Sequence, residues 1–152
     1  MPFPISLSGT VVVHGLAVEQ ALDRLECALA KAKAAALRRD DRSLLYRGGM
    51  FRLVSNWNIL GPVTRGTLDV SARGDGVCVA WKVTFGQLLF VATIAVAVIA
   101  SMAPRQTPAD EALVWLGVWV WIFGGNFVIT RWRYPRFLIR SLQSDGQNVT
   151  SA

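Results

Sequence analysis

The sequence predicts an α+β cytoplasmic domain followed by a transmembrane α-helical hairpin. Two uncharged apolar runs of nineteen residues, separated by a short Pro-containing segment, predict the hairpin. One amphipathic stripe and several alternating apolar runs around glycine-containing turns predict the domain. The overall composition agrees, because a chain that is 53% hydrophobic and only 17% charged is too apolar for an ordinary soluble domain.

We expect five regions along the 152 residues. In chain order they are the cytoplasmic domain (1–82), the first transmembrane helix (83–103), an extracytoplasmic loop (104–111), the second transmembrane helix (112–130) and a basic amphipathic cytoplasmic tail (131–152). A domain of this length has a small core, so its stability depends on a few well-packed elements.

The domain is predicted to begin with a strand and a helix. Residues 5–14 alternate loosely and end at Gly15, which indicates a strand. A helix is predicted from Ala17 to Arg38, because apolar residues recur there at spacings of three and four. That stripe consists of Val18, Leu22, Leu25, Leu29, Ala32 and Ala36.

Four further strands complete the predicted order β-α-β-β-β-β. The segment SLLYRGGMFRLVS has Gly48-Gly49 between two apolar runs, which predicts a hairpin. A loop containing Gly61-Pro62 follows. The runs RGTLDVSAR and VCVAWKV then flank the turn 74–76, and their alternation predicts a second hairpin with Leu68 and Val70 on one face. The sheet is therefore expected to be mostly antiparallel, with one helix packed on it.

The two apolar runs extend from Phe85 to Ala103 and from Ala112 to Thr130. About twenty helical residues cross the roughly 30 Å hydrocarbon core of a bilayer, so each run is long enough to span it. The alternative, a buried helical pair of a soluble protein, needs a larger surrounding core than this chain can build. Pro104 and Pro108 between the runs favour a tight connection.

The distribution of basic residues predicts the orientation of the hairpin. Residues 1–82 carry eleven of the sixteen Lys and Arg, the loop carries Arg105 alone, and residues 131–152 carry four. The positive-inside rule places both termini in the cytoplasm, in a multi-pass protein of the cell (inner) membrane. The first fifteen residues lack the basic start and long apolar run of a secretory signal, which agrees with a cytoplasmic N-terminal domain.

The tail is predicted to form a basic amphipathic helix on the inner membrane surface. Pro135 fits its first turn, and Phe137, Leu138 and Leu142 lie opposite the arginines. The bilayer is the expected partner, with anionic lipid contacted by Arg131, Arg133, Arg136 and Arg140. The alternative is that these arginines serve only as a topology signal. No nucleic-acid partner is expected, because much of the net charge of +6 flanks the membrane and no nucleic-acid-binding motif occurs.

Residues that carry chemistry are few, and we expect no catalytic site, no cofactor, no metal and no enzymatic activity. His14 is the single histidine and has no nucleophile motif to accompany it. Cys27 and Cys78 are expected to be reduced, with Cys27 exposed beside Lys31, either as a reactive thiol or as part of a small-residue helix contact. Trp57, between two asparagines, either contacts a ligand or, more in keeping with such loops, packs in the core or at the membrane interface.

Two functions from different classes fit these features. The first is a membrane-tethered module that binds a protein or lipid at the inner surface, with a second copy or another membrane protein as a further partner. The alternative is an oligomeric subunit of a channel or transport assembly, packed through the small-residue ridge Thr93, Ala97 and Ser101 and through Gly117 and Gly124. In either case Asn126 is the only strongly polar side chain deep in the second span and Gln87 is its counterpart in the first, and their positions near the cytoplasmic ends allow a hydrogen bond between them.

Overall fold

A computed structural model of the chain describes residues 6–48, 60, 63–102 and 108–143. These residues form a five-stranded antiparallel sheet and a set of helices. The strands are β1 (Ser6–His14), β2 (Ala35–Asp40), β3 (Ser43–Arg47), β4 (Arg65–Arg73) and β5 (Gly76–Thr84). Their order across the sheet is β1-β5-β4-β3-β2, so the first two strands form opposite edges.

The helices divide into one that belongs to the sheet domain and a group that follows it. The first is α1 (Val18–Lys31), which connects the two edge strands. The others are α2 (Gly86–Met102), α3 (Pro108–Trp119), a π-helical turn (Val120–Gly124) and α4 (Gly125–Gln143). From Ala112 to Gln143 the last three form one continuous helix of 32 residues.

The first strand and the second hairpin are confirmed. β4 and β5 pair along their whole length around a two-residue turn, and Gly74 in that turn has a φ of +59°, which suits glycine. Leu68 and Val70 are buried on the same face as alternate residues of β5, as the alternation predicts. β1 adds to the other side of β5 in unbroken register from Ser6 to His14.

The helix predicted to reach Arg38 ends at Lys31, so the second half of that prediction is wrong. Lys33 has a φ of +58°, its N–H donates to the carbonyl of Ala30, and the N–H of Ala34 donates to the carbonyl of Leu29. This is the Schellman arrangement that ends many helices, usually with glycine at the left-handed position. Because lysine occupies that position here, the sequence contains no visible stop signal.

Residues 35–40 therefore form the edge strand β2, although their composition favours a helix. Ala36, assigned to the helical stripe, has a φ of +47° at an irregularity in the pairing with β3. The hairpin predicted around Gly48-Gly49 does not form. β3 pairs with β2 on one side and with β4 on the other, so neither edge of β3 is open to a further strand. The second strand of that hairpin would lie within 49–59, outside the described residues. The order β-α-β-β-β-β is found, but its second strand is Ala35–Asp40, most of which the sequence predicts to be helix.

One face of the sheet is covered by two helices. On α1 the buried residues include Leu22, Leu25 and Leu29, which confirms the central part of the predicted stripe. α1 contacts β2, β3 and β4, whereas α4 contacts β1 and also packs against α1. The opposite face of the sheet, formed by the alternate residues of each strand, is exposed or half-buried.

A single arginine ties the edge strand β2 to α1. The Arg39 guanidinium lies 2.8 Å from Glu19, 2.6 Å from Asp23 and 3.2 Å from Glu26, three carboxylates on successive turns of the helix. The hydrogen bonds that Arg39 donates to the carboxylates of Asp23 and Glu26 raise the pKa of Arg39. These contacts are solvent-accessible, so they position the strand more than they stabilise the fold.

The C-terminal part of α4 does not form a separate helix on the membrane surface. Residues 131–143, called the α4 tail below, continue the long helix, and Pro135 lies inside α4 instead of in a first turn. Tyr134, Leu138 and Leu142 are fully buried in the core of the domain. The tail is amphipathic, as predicted, but its apolar side packs against the sheet and α1.

Docking of the tail predicts different effects for neighbouring substitutions in α4. Leu138→Ala removes a fully buried side chain and should lower the free energy of unfolding by about 2–5 kcal/mol. Ile139→Ala, at a position 36% exposed, should have a smaller effect, within about 1 kcal/mol. Denaturant unfolding of both variants in mild detergent tests this. Equal effects would indicate that the tail does not pack on the sheet.

Candidate functional site

Large apolar side chains are exposed mainly on the helices that follow the sheet. Trp121, for example, is 82% exposed and Leu113 is 68% exposed. The set comprises Phe90, Ile94, Val98 and Ile99 on α2, and Leu113, Val114, Leu116, Val120, Trp121, Val128 and Ile129 on the long helix. A contiguous apolar surface of this kind marks an interaction with lipid or with another protein.

One helix of the described chain, Ala112–Gln143, is long and apolar enough to cross a membrane. None of its most apolar eighteen-residue window is buried within the molecule. The apolar part of α2, Gly86–Ile99, falls below the same length criterion. The structure thus supports one spanning helix of the two predicted, and α2 packs beside it through contacts with α3 and the π-helical turn.

Two glycines leave room for a contact between the sheet and the α4 tail. This contact, called the aromatic junction below, consists of Tyr46, Trp81 and Tyr134. Gly9 lies opposite Trp81 across β1 and β5, and Gly66 lies opposite Tyr46 across β4 and β3. A Cβ at Gly66 would lie 2.2 Å from the Tyr46 ring, and one at Gly9 would lie 2.7 Å from the Trp81 ring. The two rings therefore lie flat over glycine backbone and present a surface on which Tyr134 of the tail can pack.

Tyr134 contacts both aromatic residues of the sheet. Its hydroxyl shares a 2.6 Å hydrogen bond with the hydroxyl of Tyr46, and its ring centroid lies 5.0 Å from that of Trp81. Both tyrosines are fully buried. Burial raises the pKa of Tyr46 well above its ordinary value, because the phenolate would lose its hydration. At the end of the tail, Arg24 of α1 donates a 2.5 Å hydrogen bond to the carbonyl of Leu142.

The start of α2 is also fixed to the sheet. The hydroxyl oxygen of Thr64 accepts a 2.8 Å hydrogen bond from the backbone N–H of Gln87, and so caps the helix from outside it. The N–H of Thr64 in turn donates to the carbonyl of Thr84, the last residue of β5. Phe85 and Leu88 are buried in the domain core. The sheet domain therefore holds both the first apolar helix and the end of the long one.

The four tail arginines are exposed, but they lie at different distances from the apolar segment. Trp132 is 64% exposed, and the Arg136 guanidinium carbon lies 5.8 Å from the centroid of its ring. From Arg131 to Arg140 the helix rises about 13 Å at 1.5 Å per residue. Arg131, Arg133 and Arg136 therefore surround the end of the apolar segment, and Arg140 lies deeper beside the domain.

The long helix contains a π-helical turn at its middle. Asn126 donates a 2.7 Å hydrogen bond to the carbonyl of Ile122, within the same helix, in place of the predicted contact with Gln87. Along this region Trp119, Phe123 and Phe127 stack, and Phe127 meets Phe85 at the start of α2 at 5.7 Å. This aromatic row links the middle of the long helix to the edge of the sheet domain.

The other candidate residues of the sequence do not form a common site in the described part of the chain. His14 lies 3.9 Å from Asp75, with both side chains largely in solvent. Cys27 is exposed on α1, as predicted, and Cys78 is half-buried on the uncovered face of the sheet. Trp57 lies outside the described residues. Among the described residues, no group of three or more His, Cys, Asp or Glu side chains is placed to hold a metal ion.

Comparison with known proteins adds no family assignment. No protein-family model, curated protein or solved structure matches the chain. The main feature of the site is the buried aromatic junction, which joins the exposed apolar helix to the sheet.

The aromatic junction predicts an unusual tyrosine titration. Tyr46 and Tyr134 are the only two tyrosines of the chain. Free tyrosines ionise near pH 10, whereas these should stay protonated until the domain unfolds. Since the pKa of Tyr46 is raised on folding, its contribution to stability is complete below about pH 10 and is lost as the pH rises further.

Absorbance of tyrosinate, recorded with circular dichroism during an alkaline titration in detergent, measures this directly. The two signals should change together. Tyr46→Phe should halve the tyrosinate amplitude and lower the stability by about 1 kcal/mol through the lost hydrogen bond. Ionisation near pH 10 with the circular dichroism unchanged would show that the junction is open to water.

Proposed function

We propose that this chain is a small integral membrane protein whose sheet domain is held at the inner surface of the cell membrane, where it binds a protein or lipid partner. The role is one of anchoring and binding, with no catalytic step. The observation that carries the proposal is the docking of the α4 tail on the sheet, at the end of a helix whose apolar surface is exposed.

That docking supports two membrane crossings instead of one. The sheet domain and the α4 tail pack together, so they lie on the same side of the membrane. If the long helix crosses the bilayer, its other end at residue 112 lies on the far side. The chain leaves the sheet at Thr84 and must reach that far side before residue 112. The segment that contains α2 must then cross as well.

The length of α2 is compatible with this crossing. Its seventeen residues rise about 25 Å, at the short end of the range for spanning helices. A short helix is accommodated by local thinning of the bilayer or by packing against a neighbour, and α2 packs against α3. Its exposed side chains Phe90, Ile94 and Val98 are those expected to face lipid.

The charge distribution supports the orientation. The basic residues concentrate in the sheet domain and the tail, whereas the connection between the two apolar helices carries Arg105 alone, with Asp110 and Glu111. We therefore place both termini in the cytoplasm and residues 104–111 outside. Attachment through α2 and through the α4 tail would hold the domain in one orientation, with its uncovered sheet face available to a partner.

Reporter fusions test the topology. A reporter that is active only outside the cytoplasm should be active when inserted within 104–111 and inactive after residue 152. A reporter that is active only in the cytoplasm should give the opposite pattern at the same two positions. A cytoplasmic 104–111 segment, or release of the protein by alkaline carbonate washing of membranes, would contradict the proposal.

A second candidate function is a subunit of an oligomeric channel or transport assembly. Thr93, Ala97 and Ser101 are exposed on α2, and Gly117 is exposed on α3, so these small residues are not used for contacts within one copy. Small residues on a lipid-facing helix favour close approach of a second helix. Association through α2 would leave the sheet domain unchanged.

Two measurements test this candidate. The assembly should be larger than a monomer in mild detergent and should dissociate in Ala97→Leu, whereas Val98→Leu, which introduces the same side chain at the next position of the helix, should leave it assembled. Solute flux into liposomes should exceed background and change in Asn126→Leu, which loses the hydrogen bond to Ile122. A strict monomer in several mild detergents, together with background flux in liposomes, would exclude it.

A further inference from the structure

Three basic side chains lie together on the sheet face that no helix of the described chain covers. Arg47 ends β3, Arg65 begins β4, and Lys82 lies two residues before the end of β5. Their neighbours Tyr46 and Val83 are buried beneath the helices. Since side chains alternate along a strand, the three basic residues share the opposite face, where all three are exposed.

The register of the sheet places these charges close together. Arg47 is the direct cross-strand partner of Arg65, and Arg65 also lies opposite Thr84. Direct cross-strand partners have Cβ atoms about 4.5–5.5 Å apart, and diagonal neighbours such as Arg65 and Lys82 about 7–8 Å. Two like charges directly opposite each other destabilise a sheet unless a counter-charge lies between them.

Among the described residues, no counter-charge lies beside Arg47 or Arg65. The sequence has no acidic residue between Asp41 and Asp69, and none between Asp75 and Asp110. Asp69 shares the uncovered face and is a diagonal neighbour of Lys82, since it pairs with Ala80, but it lies four residues along β4 from Arg65, about 13 Å away. Within the described part of the chain, no carboxylate forms an ion pair with Arg47, Arg65 or Lys82.

The position of this basic cluster indicates what neutralises it. The cluster lies at the end of the sheet from which α2 begins, because Thr84 and Gly86 are two residues apart. Arg65 directly follows Thr64, the residue that caps α2. With α2 crossing the membrane, this end of the sheet faces the headgroups of the cytoplasmic leaflet. The α4 tail and its arginines lie on the other, helix-covered side of the sheet.

We propose that Arg47, Arg65 and Lys82 form a binding site for the phosphate groups of anionic phospholipids in the cytoplasmic leaflet. Guanidinium groups bind phosphate oxygens through paired hydrogen bonds, and a phosphate between Arg47 and Arg65 converts their repulsion into attraction. The site rests on the proposed function, since it requires the sheet domain to sit at that surface. Its role is to orient the domain on anionic membrane.

Lipid selectivity of the full chain tests the site. The protein is reconstituted in phosphatidylcholine bilayers that contain traces of spin-labelled phosphatidylglycerol or spin-labelled phosphatidylcholine, and electron spin resonance gives their relative association. The wild type should prefer phosphatidylglycerol. Because a basic residue near the surface contributes about fivefold in affinity, R47Q/R65Q/K82Q should lose most of this preference, and R65Q alone about fivefold.

The matched control removes the same number of charges elsewhere in the domain. R42Q/R73Q changes exposed arginines in the turn after β2 and at the far end of β4, and it should leave the preference unchanged, whereas its counterpart R47Q/R65Q should lower it. Added salt should weaken the preference of the wild type, because surface charges are screened within about 10 Å at 0.1 M. Circular dichroism of each variant in detergent checks that it is folded.

Three outcomes would overturn the lipid site. They are an equal loss in R47Q/R65Q and in R42Q/R73Q, which indicates an effect of net charge; an unchanged preference in R65Q and in R47Q/R65Q/K82Q; and removal of the preference by millimolar inorganic phosphate, which indicates a site for free phosphate. The reporter fusions separate these from failure of the proposed function. A loop at 104–111 on the cytoplasmic side refutes the topology, whereas correct topology with unselective lipid binding refutes the lipid site alone.

Discussion

The packing of Tyr134 against Tyr46 and Trp81 is the contact on which the arrangement of the molecule depends. It joins the end of the long apolar helix to the sheet, and it is formed because Gly9 and Gly66 leave space for the two sheet aromatics. Once this contact exists, the sheet domain and the α4 tail must lie on one side of any membrane that the long helix crosses. If the long helix does cross a membrane, connectivity then requires the segment that contains α2 to cross it as well.

The sequence predicts those parts of the fold that have a strong local period or turn signal. The β4–β5 hairpin and the stripe around Leu25 have both, and the structure contains them. The end of α1 was missed because Lys33 adopts the left-handed conformation that usually indicates glycine. The identity of the tail as a docked helix was missed for another reason: its apolar side is equally suited to lipid and to a protein core. Only tertiary contacts distinguish those two environments.

The features on which the proposed function depends also differ in how far the sequence predicts them. The exposed apolar surface follows from composition, and so does the excess of basic charge beside it. By contrast, the basic cluster of Arg47, Arg65 and Lys82 requires the register of three strands, one of which pairs differently from the sequence prediction. Basic side chains consequently surround the apolar helices on two sides, with Arg131 and Arg133 on the side of the tail. If the apolar helices anchor the domain in a membrane as we propose, basic residues on both sides of that anchor would oppose tilting of the domain on an anionic surface.

The separation of 88 residues between the two tyrosines has a consequence for biogenesis. When the ribosome has made β5, the surface over β1 that α4 later covers is still open, and the residues that close it have not been synthesised. They appear only after both apolar helices have been made. If both apolar helices insert into a membrane as we propose, the core is completed last, by a segment whose arrival follows that insertion. On the same proposal, a chain inserted with the wrong number of crossings would keep its aromatic surface uncovered, which would make it a substrate for chaperones and proteases.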